Sequence, residues 1–233
     1  MNPPILKEHE NILVVRDDLI PYGSKARFLD SFFSKIDQDE VVYGGSPRWG
    51  FAQISIAYLA RKHGKKATIF VPWSKELSSY SQRARSLGAN IVQVPVGFLS
   101  VCHARAKDHV AKTGAFLLPF GLNVPEAVKK ISAIAKELRI QPDEVWTVAG
   151  SGTLSRGLQR GFPNAKFYAV QTGRKLTQLD VGRATIIASR IPFSSPAKIL
   201  PPFPSVPEYD AKAWEFIPKD GKKLRLFWNV AGP

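Results

Sequence analysis

Two short stretches contain residues whose types and spacing could do chemistry. In RDDLIPYGSKARFLD (16–30), Lys25 stands between a glycine-containing turn and a helix-like run that begins at Ala26. A lysine amine can attack the carbonyl carbon of a substrate or cofactor. In EVWTVAGSGTLSRGLQRG (144–161), an apolar strand leads through a glycine turn directly into a helix. Backbone N–H groups of such a turn can bind a phosphate group, and the turn comprises Gly150, Ser151, Gly152 and Thr153.

Each stretch also has a purely structural interpretation. Lysine is common at the solvated start of a helix, and a tight turn with serine or threonine as helix cap would resemble the glycine turn. The turn lacks the GKS or GKT ending of a nucleotide P-loop, and its spacing does not fit the GxGxxG fingerprint of dinucleotide sites. We therefore predict a phosphate group that does not belong to a nucleotide.

The composition is that of a folded globular protein. The 233 residues are 44% hydrophobic and 22% charged. The single cysteine, Cys102, permits no internal disulfide, and its spacing to His103 and His109 matches no common metal site, so no metal is predicted. No apolar run reaches the ~18 residues of a membrane span, and MNPPILKEHEN does not resemble a signal peptide. We expect a cytoplasmic protein with no membrane contact.

The charge balance is unusual, because 33 Lys and Arg residues against 19 Asp and Glu residues leave a net charge of +14. A phosphorylated cofactor carries only about two negative charges, so a larger anionic partner such as DNA is one hypothesis. A generally basic, well-solvated surface is the other. A track for nucleic-acid phosphates would comprise Arg156, Arg160, Arg174, Lys175 and Arg183.

The elements that must position these residues follow an α/β pattern. Apolar β-branched runs alternate with helix-like segments, which predicts parallel sheets. Strands are predicted at 11–15, 40–45, 67–72, 90–95, 115–119, 144–150, 166–171, 184–189 and 224–229. Helices are predicted at 25–35, 50–63, 76–87, 101–112, 124–138 and 154–160. The segment 192–210 contains six prolines and is predicted to be an irregular, ordered loop.

Taken together, the two stretches resemble the fold-type II pyridoxal-phosphate enzymes, the tryptophan synthase β-like group. The resemblance is nearest to the 1-aminocyclopropane-1-carboxylate deaminase and D-cysteine desulfhydrase branch, whose KRDD…GGNKxRKLE motif is similar to residues 16–30, and whose GSGGT is similar to residues 150–153. It covers most of the chain, since SLGANIVQVP (86–95), LPFGLNVPEAV (118–128) and EYDAKAWEF (208–216) resemble further family segments in the expected order.

The resemblance implies a fold, a cofactor and roles for residues. It implies two three-layer domains with parallel sheets and the cofactor in the cleft between them, a large one of residues 1–41 and 119–233 and a smaller one of residues 42–118. It implies pyridoxal 5'-phosphate held as a Schiff base on Lys25, with Gly150, Ser151, Gly152 and Thr153 around the phosphate. LFWNVAG (226–232) resembles the family's FxHTGG, which suggests Asn229 as the partner of the cofactor ring.

The chain also departs from the family. The family's SNH or GNH tripeptide, whose Asn contacts the cofactor ring, is replaced by a segment within YGGSPRWGFAQ (43–53). We expect the altered substrate site to involve Ser46, Arg48, Trp49 and Tyr209. The chain is short for this branch, and the missing residues are predicted to lie between Gln171 and Tyr209, which would leave a more open site.

These implications leave three hypotheses. The first is an enzyme that carries out decarboxylation, elimination or deamination on an amino-acid group. This group could be attached to a DNA base, because shortened relatives of this fold occur among bacteriophage proteins linked to hypermodified thymine. A phage enzyme would act in the host cytoplasm. The second is a deaminase or desulfhydrase of free small amino acids, and the third is a nucleic-acid-binding protein that has lost catalysis. A homodimer is left open.

Overall fold

A computed structural model describes residues 3–95 and 97–232. The chain divides into two compact units, one formed by the residues up to Ser24 and those from Pro125 onward, and the other by Lys25–Val124. The domain boundaries predicted from the sequence differ from these limits and stay a prediction. Within the described residues, every helix is too short or too polar to cross a membrane.

The helices and strands alternate along most of the chain. The strands are β1 (Leu6–His9), β2 (Ile12–Arg16), β3 (Glu40–Tyr43), β4 (Lys66–Pro72), β5 (Asn90–Val94), β6 (Phe116–Leu117), β7 (Glu144–Ala149), β8 (Lys166–Gln171), β9 (Thr185–Ala188) and β10 (Arg225–Asn229). The helices are α1 (Gly23–Phe33), α2 (Ala52–Lys62), α3 (Ser79–Ser86), α4 (Leu99–Thr113), α5 (Pro125–Glu137), α6 (Thr153–Gly161) and α7 (Gln178–Val181).

The first unit contains a six-stranded sheet in the order β1-β2-β10-β7-β8-β9. All neighbouring strands are parallel except β1, which runs antiparallel to β2. The strands β7 and β10 are buried along their whole length, as expected for central strands with both faces covered. Ala149 at the end of β7 pairs with Gln171 at the end of β8, so the segments that follow these two strands begin side by side.

The second unit contains a four-stranded parallel sheet in the order β5-β4-β3-β6. Val42, Phe70 and Val94 form a core cluster with Cys102 and Ala106 of α4. The neighbouring positions along β3 and β4, which point to the opposite face, are also buried. The sheet is therefore covered on both faces, and the predicted parallel α/β architecture is confirmed.

Helices α5 and α6 of the first unit pack closely against each other, and α6 is the helix that directly follows the glycine turn. A Cβ atom added at Gly157 would lie 2.6 Å from Ile131, and one added at Gly161 would lie 2.3 Å from Ala135. Only glycine lets the two helices approach this closely.

The structure adds elements that the sequence analysis missed. β1 is a short edge strand whose two central residues are exposed, so it lacks the apolar alternation that would have revealed it. α7 has only four residues and is stabilised by a capping box between Thr177 and Asp180. The proline-rich segment 192–209 contains no helix or strand, as predicted. It is held in part by Lys212, which is fully buried and donates from Nζ to the Pro192 carbonyl at 2.8 Å.

Candidate functional site

The glycine turn joins the end of β7 to the start of α6. Gly152 has φ 75° and ψ 0°, in the left-handed region, and it precedes the first helical residue, Thr153. A Cβ atom at Gly152 would lie 2.0 Å from the backbone oxygen of Asp180, at the C-terminal part of α7. Both the backbone conformation and the contact therefore require glycine at this position.

The turn presents polar groups in a pattern that suits an anion. The hydroxyls of Ser151 and Thr153 lie 3.1 Å apart and share a hydrogen bond. The first N–H groups of α6 follow directly, and the helix N-terminus adds partial positive charge. A phosphate would accept hydrogen bonds from these hydroxyl and backbone donors. The structure thus brings together the four residues predicted for a phosphate site, and their role there stays a prediction.

Tyr209 lies against this turn. Its hydroxyl oxygen accepts a hydrogen bond from the Gly150 N–H at 3.1 Å and lies 3.4 Å from the Val148 carbonyl, to which it donates. The sequence analysis assigned Tyr209 to the substrate. The structure shows that Tyr209 contacts the glycine turn, while a contact with substrate stays a prediction.

Thr172 is a candidate that the sequence analysis missed. It follows β8, and its N–H donates to the Ala149 carbonyl at 3.1 Å, so it lies beside the residue immediately before the glycine turn. Its hydroxyl is buried and has no hydrogen-bond partner among residues 3–95 and 97–232. A buried hydroxyl without a partner costs about 1–3 kcal/mol, which a ligand with an acceptor oxygen could offset. The glycine turn and this hydroxyl together fit a phosphate-bearing cofactor.

Lys25 follows a buried anchor at the start of α1. Ser24 donates from its N–H to the Val230 carbonyl at 2.9 Å and from its hydroxyl to Asp17 at 2.5 Å. The indole N–H of Trp228 donates to the same carboxylate oxygen at 2.9 Å. This network fixes the residue immediately before Lys25, whose own side chain is half-buried.

The second acid of the RDD motif is also structural. Asp18 forms a two-pronged ion pair with Arg16, with N–O distances of 2.8 and 2.9 Å. It also accepts a hydrogen bond from the Asn229 side-chain amide at 2.7 Å. The motif before Lys25 is therefore held by a salt bridge and hydrogen bonds.

Asn229 is fully buried at the end of β10. Its amide nitrogen donates to Asp18 at 2.7 Å and to the Pro204 carbonyl at 2.8 Å, and its oxygen accepts from the Ser205 hydroxyl at 2.8 Å. Both amide hydrogens are thus used within the protein. Donation to a cofactor ring stays a prediction, and it would require one of these bonds to be replaced.

The loop that replaces the family's Asn-containing tripeptide follows β3 and is closed on itself. Ser46 is fully buried and its hydroxyl donates to the Pro47 carbonyl at 3.4 Å, while the Gly50 N–H donates to the same carbonyl at 2.9 Å. Arg48 is exposed, and its guanidinium carbon lies 4.9 Å from the centre of the Trp49 ring. Their predicted contacts with substrate are left untested by this geometry.

Three of the five basic residues predicted to form a nucleic-acid track have partners within the protein. Arg156 donates to the Asp180 carbonyl, and Arg174 forms an ion pair with the Asp180 carboxylate. Arg183 donates to the carbonyl oxygens of residues 162 and 163 at 2.8 Å. Arg160 and Lys175 have exposed side chains. These contacts weaken the track hypothesis, which no observation confirms.

Asp180 connects the short helix α7 to the glycine turn. The hydrogen bond from Arg174 lowers the pKa of its carboxyl to about 2, and hydrogen bonds from Thr177 add to this effect. The carboxylate is therefore charged at neutral pH and holds the capping box of α7. Because the Asp180 backbone packs against Gly152, the charge pair supports the shape of the turn.

Comparisons with known proteins agree with this architecture. A protein of Pseudomonas phage M6 described as a glycyl-dTMP PLP-dependent decarboxylase is 24% identical over 264 aligned residues, which cover 94% of this chain and 93% of that protein. The crystal structure of an ACC deaminase homologue superposes with a TM-score of 0.81 at 17% identity, covering 100% of this chain and 90% of the other. The processed form of threonine deaminase isoform 2 from Solanum lycopersicum gives 0.70 at 16% identity, covering 99% and 79%.

The chain has the fold of the fold-type II pyridoxal-phosphate enzymes. The fold and the resemblance predicted from the sequence are thereby confirmed. No family model matches the chain.

Replacement of Gly152 by alanine should destabilise the protein by at least ~2 kcal/mol, because it combines a left-handed backbone with overpacking against Asp180. Gly64 is the matched control, since its φ is +65° and nothing lies within 4 Å of an added Cβ. Gly64→Ala should therefore show only the backbone cost of ~1 kcal/mol. Urea unfolding measures both. Equal losses in the two variants would contradict the close contact at Gly152.

Proposed function

We propose that the protein is a pyridoxal-phosphate-dependent decarboxylase that acts on an amino-acid group attached to a thymine of DNA. The observation that carries the proposal is the glycine turn at the carboxyl end of β7, with its two hydroxyls and the buried Thr172 hydroxyl beside it. The turn lies in a chain that has the fold of the fold-type II pyridoxal-phosphate enzymes. The predicted cofactor and the predicted class of enzyme agree with the description of the phage relative.

The residues of the turn would hold the cofactor phosphate. Ser151 and Thr153 would donate from their hydroxyls, Gly150 and Gly152 would let the backbone approach, and Thr172 would add a further donor. Lys25 would bind the cofactor covalently and move protons at the α-carbon of the substrate. When bound, the cofactor supplies an electron sink for the carbanion that forms at that carbon.

The loop after β3 favours decarboxylation over reactions that retain the carboxylate. Pro47 has no N–H group, the Gly50 N–H is used by the Pro47 carbonyl, and the Ser46 hydroxyl points to the same acceptor. Donors that hold a carboxylate stabilise the bound substrate more than a transition state in which that charge moves into the cofactor. Because the Gly50 N–H and the Ser46 hydroxyl are engaged internally, these two groups would hinder the departure of carbon dioxide less than donors aimed at the substrate.

The attachment of the substrate to DNA is supported by two observations. The net charge of +14 exceeds what a small cofactor requires, and the phage relative is described as acting on glycyl-dTMP. The similarity to the phage relative supports a substrate of the amino-acid type. An enzyme of phage origin would work in the host cytoplasm, where the DNA is made. A homodimer stays a prediction.

A second candidate is a deaminase or desulfhydrase of free small amino acids. It is favoured by the structural similarity to an ACC deaminase homologue and to a threonine deaminase. This candidate function does not explain the net charge of +14. The third hypothesis, a nucleic-acid-binding protein without catalysis, gives no reason for a buried hydroxyl beside a phosphate-type turn.

Replacement of Lys25 by alanine should abolish the visible absorption band of the purified protein with its cofactor, because the covalent bond to the amine would be lost. In the wild type, borohydride should remove the band and leave the cofactor attached to Lys25 in peptide maps. Lys35 provides a matched control, since it is an exposed lysine just after the same helix. Lys35→Ala should retain the band. A label on any lysine other than Lys25 would refute the assignment.

Replacement of Thr172 by valine should weaken cofactor binding roughly ten- to a hundredfold, as expected for loss of a hydrogen bond to a charged group. The same change should not destabilise the cofactor-free protein, because it removes a buried hydroxyl that has no partner there. Thr172→Ser keeps the hydroxyl and should restore affinity. Cofactor titration and urea unfolding measure the two effects, and unchanged affinity in the valine variant would remove Thr172 from the site.

A further inference from the structure

The carboxyl edge of the four-stranded sheet carries aromatic side chains. Each of its four parallel strands is followed by a loop or turn that contains at least one aromatic residue: Trp49 and Phe51 after β3, Trp73 after β4, Phe98 after β5 and Phe120 after β6. In open α/β sheets, ligands bind at the carboxyl ends of the strands. This edge is therefore a candidate for recognition of a ligand with flat rings.

Two of these aromatic residues are unusually exposed. Trp73 is 60% exposed and Phe98 is 70% exposed. They emerge from adjoining parts of the edge, because the Trp73 N–H donates to the Val94 carbonyl at 2.9 Å and an added Cβ at Gly97 would lie 2.9 Å from Pro72. Large aromatic side chains that are exposed next to each other mark interaction sites more often than isolated apolar residues do.

The loop after β3 joins the same surface. Ser78 donates from its hydroxyl to the Arg48 carbonyl at 2.7 Å, which fixes this loop to the one that contains Trp73. The Arg48 guanidinium lies over the ring of Trp49, which in turn packs edge-on against Tyr80. Aromatic rings and a cation thus occur on connected loops.

The positive charge of residues 41–107 indicates which kind of partner this surface would bind. Residues 41–107 contain ten lysines and arginines and a single acid, Glu76. Lys62, Lys65 and Arg105 bond to oxygens within the protein. The exposed basic residues that follow the strand ends at this edge are Arg48 and Lys75. Lys75 lies two residues beyond Trp73 and is exposed. Exposed rings combined with excess positive charge are the features by which proteins bind single-stranded nucleic acids, through base stacking and phosphate contacts. Bases within a duplex are already stacked and cannot use such rings.

We propose that the carboxyl edge of the four-stranded sheet binds single-stranded DNA, with Trp73 and Phe98 stacking on bases and Arg48 and Lys75 contacting phosphates. This binding surface would serve the proposed function, and its purpose rests on that function. A modified thymine cannot reach a cofactor from within the duplex stack, so such an enzyme either acts on a single strand or extrudes the base from the duplex, and a surface of exposed rings favours the single strand.

The experiment measures binding of a fluorescently labelled oligothymidylate to the protein with its cofactor, over a series of salt concentrations. Trp73→Leu keeps the apolar character but removes the ring face, and it should weaken binding roughly five- to a hundredfold. The slope of log affinity against log salt should stay unchanged, since that slope counts phosphate contacts. Trp73→Phe should bind like the wild type, and Phe98→Leu should weaken binding as Trp73→Leu does.

Leu200 provides the matched control, because it is also 60% exposed and belongs to the other compact unit. Leu200→Ala should leave affinity unchanged, and a duplex of the same sequence should bind more weakly and be insensitive to Trp73→Leu. No binding of the oligothymidylate, or equal affinity in the wild type and both leucine variants, would overturn the proposal. The cofactor band is recorded in every sample. Its absence in the wild type would count against the proposed function, whereas its presence with unaltered binding would count against the stacking surface alone.

Discussion

The contact between the backbones of Gly152 and Asp180 is the constraint on which the candidate cofactor site depends. No side chain fits between these two segments, so the turn after β7 and the short helix α7 must be built together. The Asp180 carboxylate, kept charged by Arg174, closes the capping box of α7, and the Asp180 carbonyl receives Arg156. A local charge pair thereby helps to maintain a turn that is shaped for an anion.

Much of this architecture could be predicted from the sequence. The alternation of apolar runs and helical segments predicted the parallel strands, and the glycine turn and the lysine in the first turn of α1 could be recognised from local spacing. Thr172 could not be found in this way. Its proposed role rests on the pairing of β7 with β8, which brings it beside the turn, and on the burial of its hydroxyl. The edge strand β1 was missed because its exposed polar residues carry no strand pattern.

The roles of the basic residues also depend on tertiary contacts that the sequence does not reveal. Their number predicts an anionic partner, but composition cannot separate arginines that bind outside partners from those used inside the protein. Arg156, Arg174 and Arg183 bond to backbone or carboxylate oxygens of their own unit. The second unit offers a different combination, in which exposed rings accompany the excess charge. The proposed recognition of DNA therefore rests on this surface rather than on the stretch after the glycine turn.

The central claim is that the protein removes carbon dioxide from an amino-acid group carried by DNA. The most direct measurement is to incubate the protein and cofactor with DNA that contains glycyl-modified thymine, and to quantify released carbon dioxide and the mass of the recovered nucleosides. The account predicts one carbon dioxide per modified base, with the amine retained on the nucleoside. Unchanged modified DNA, together with release of ammonia from free amino acids, would contradict it.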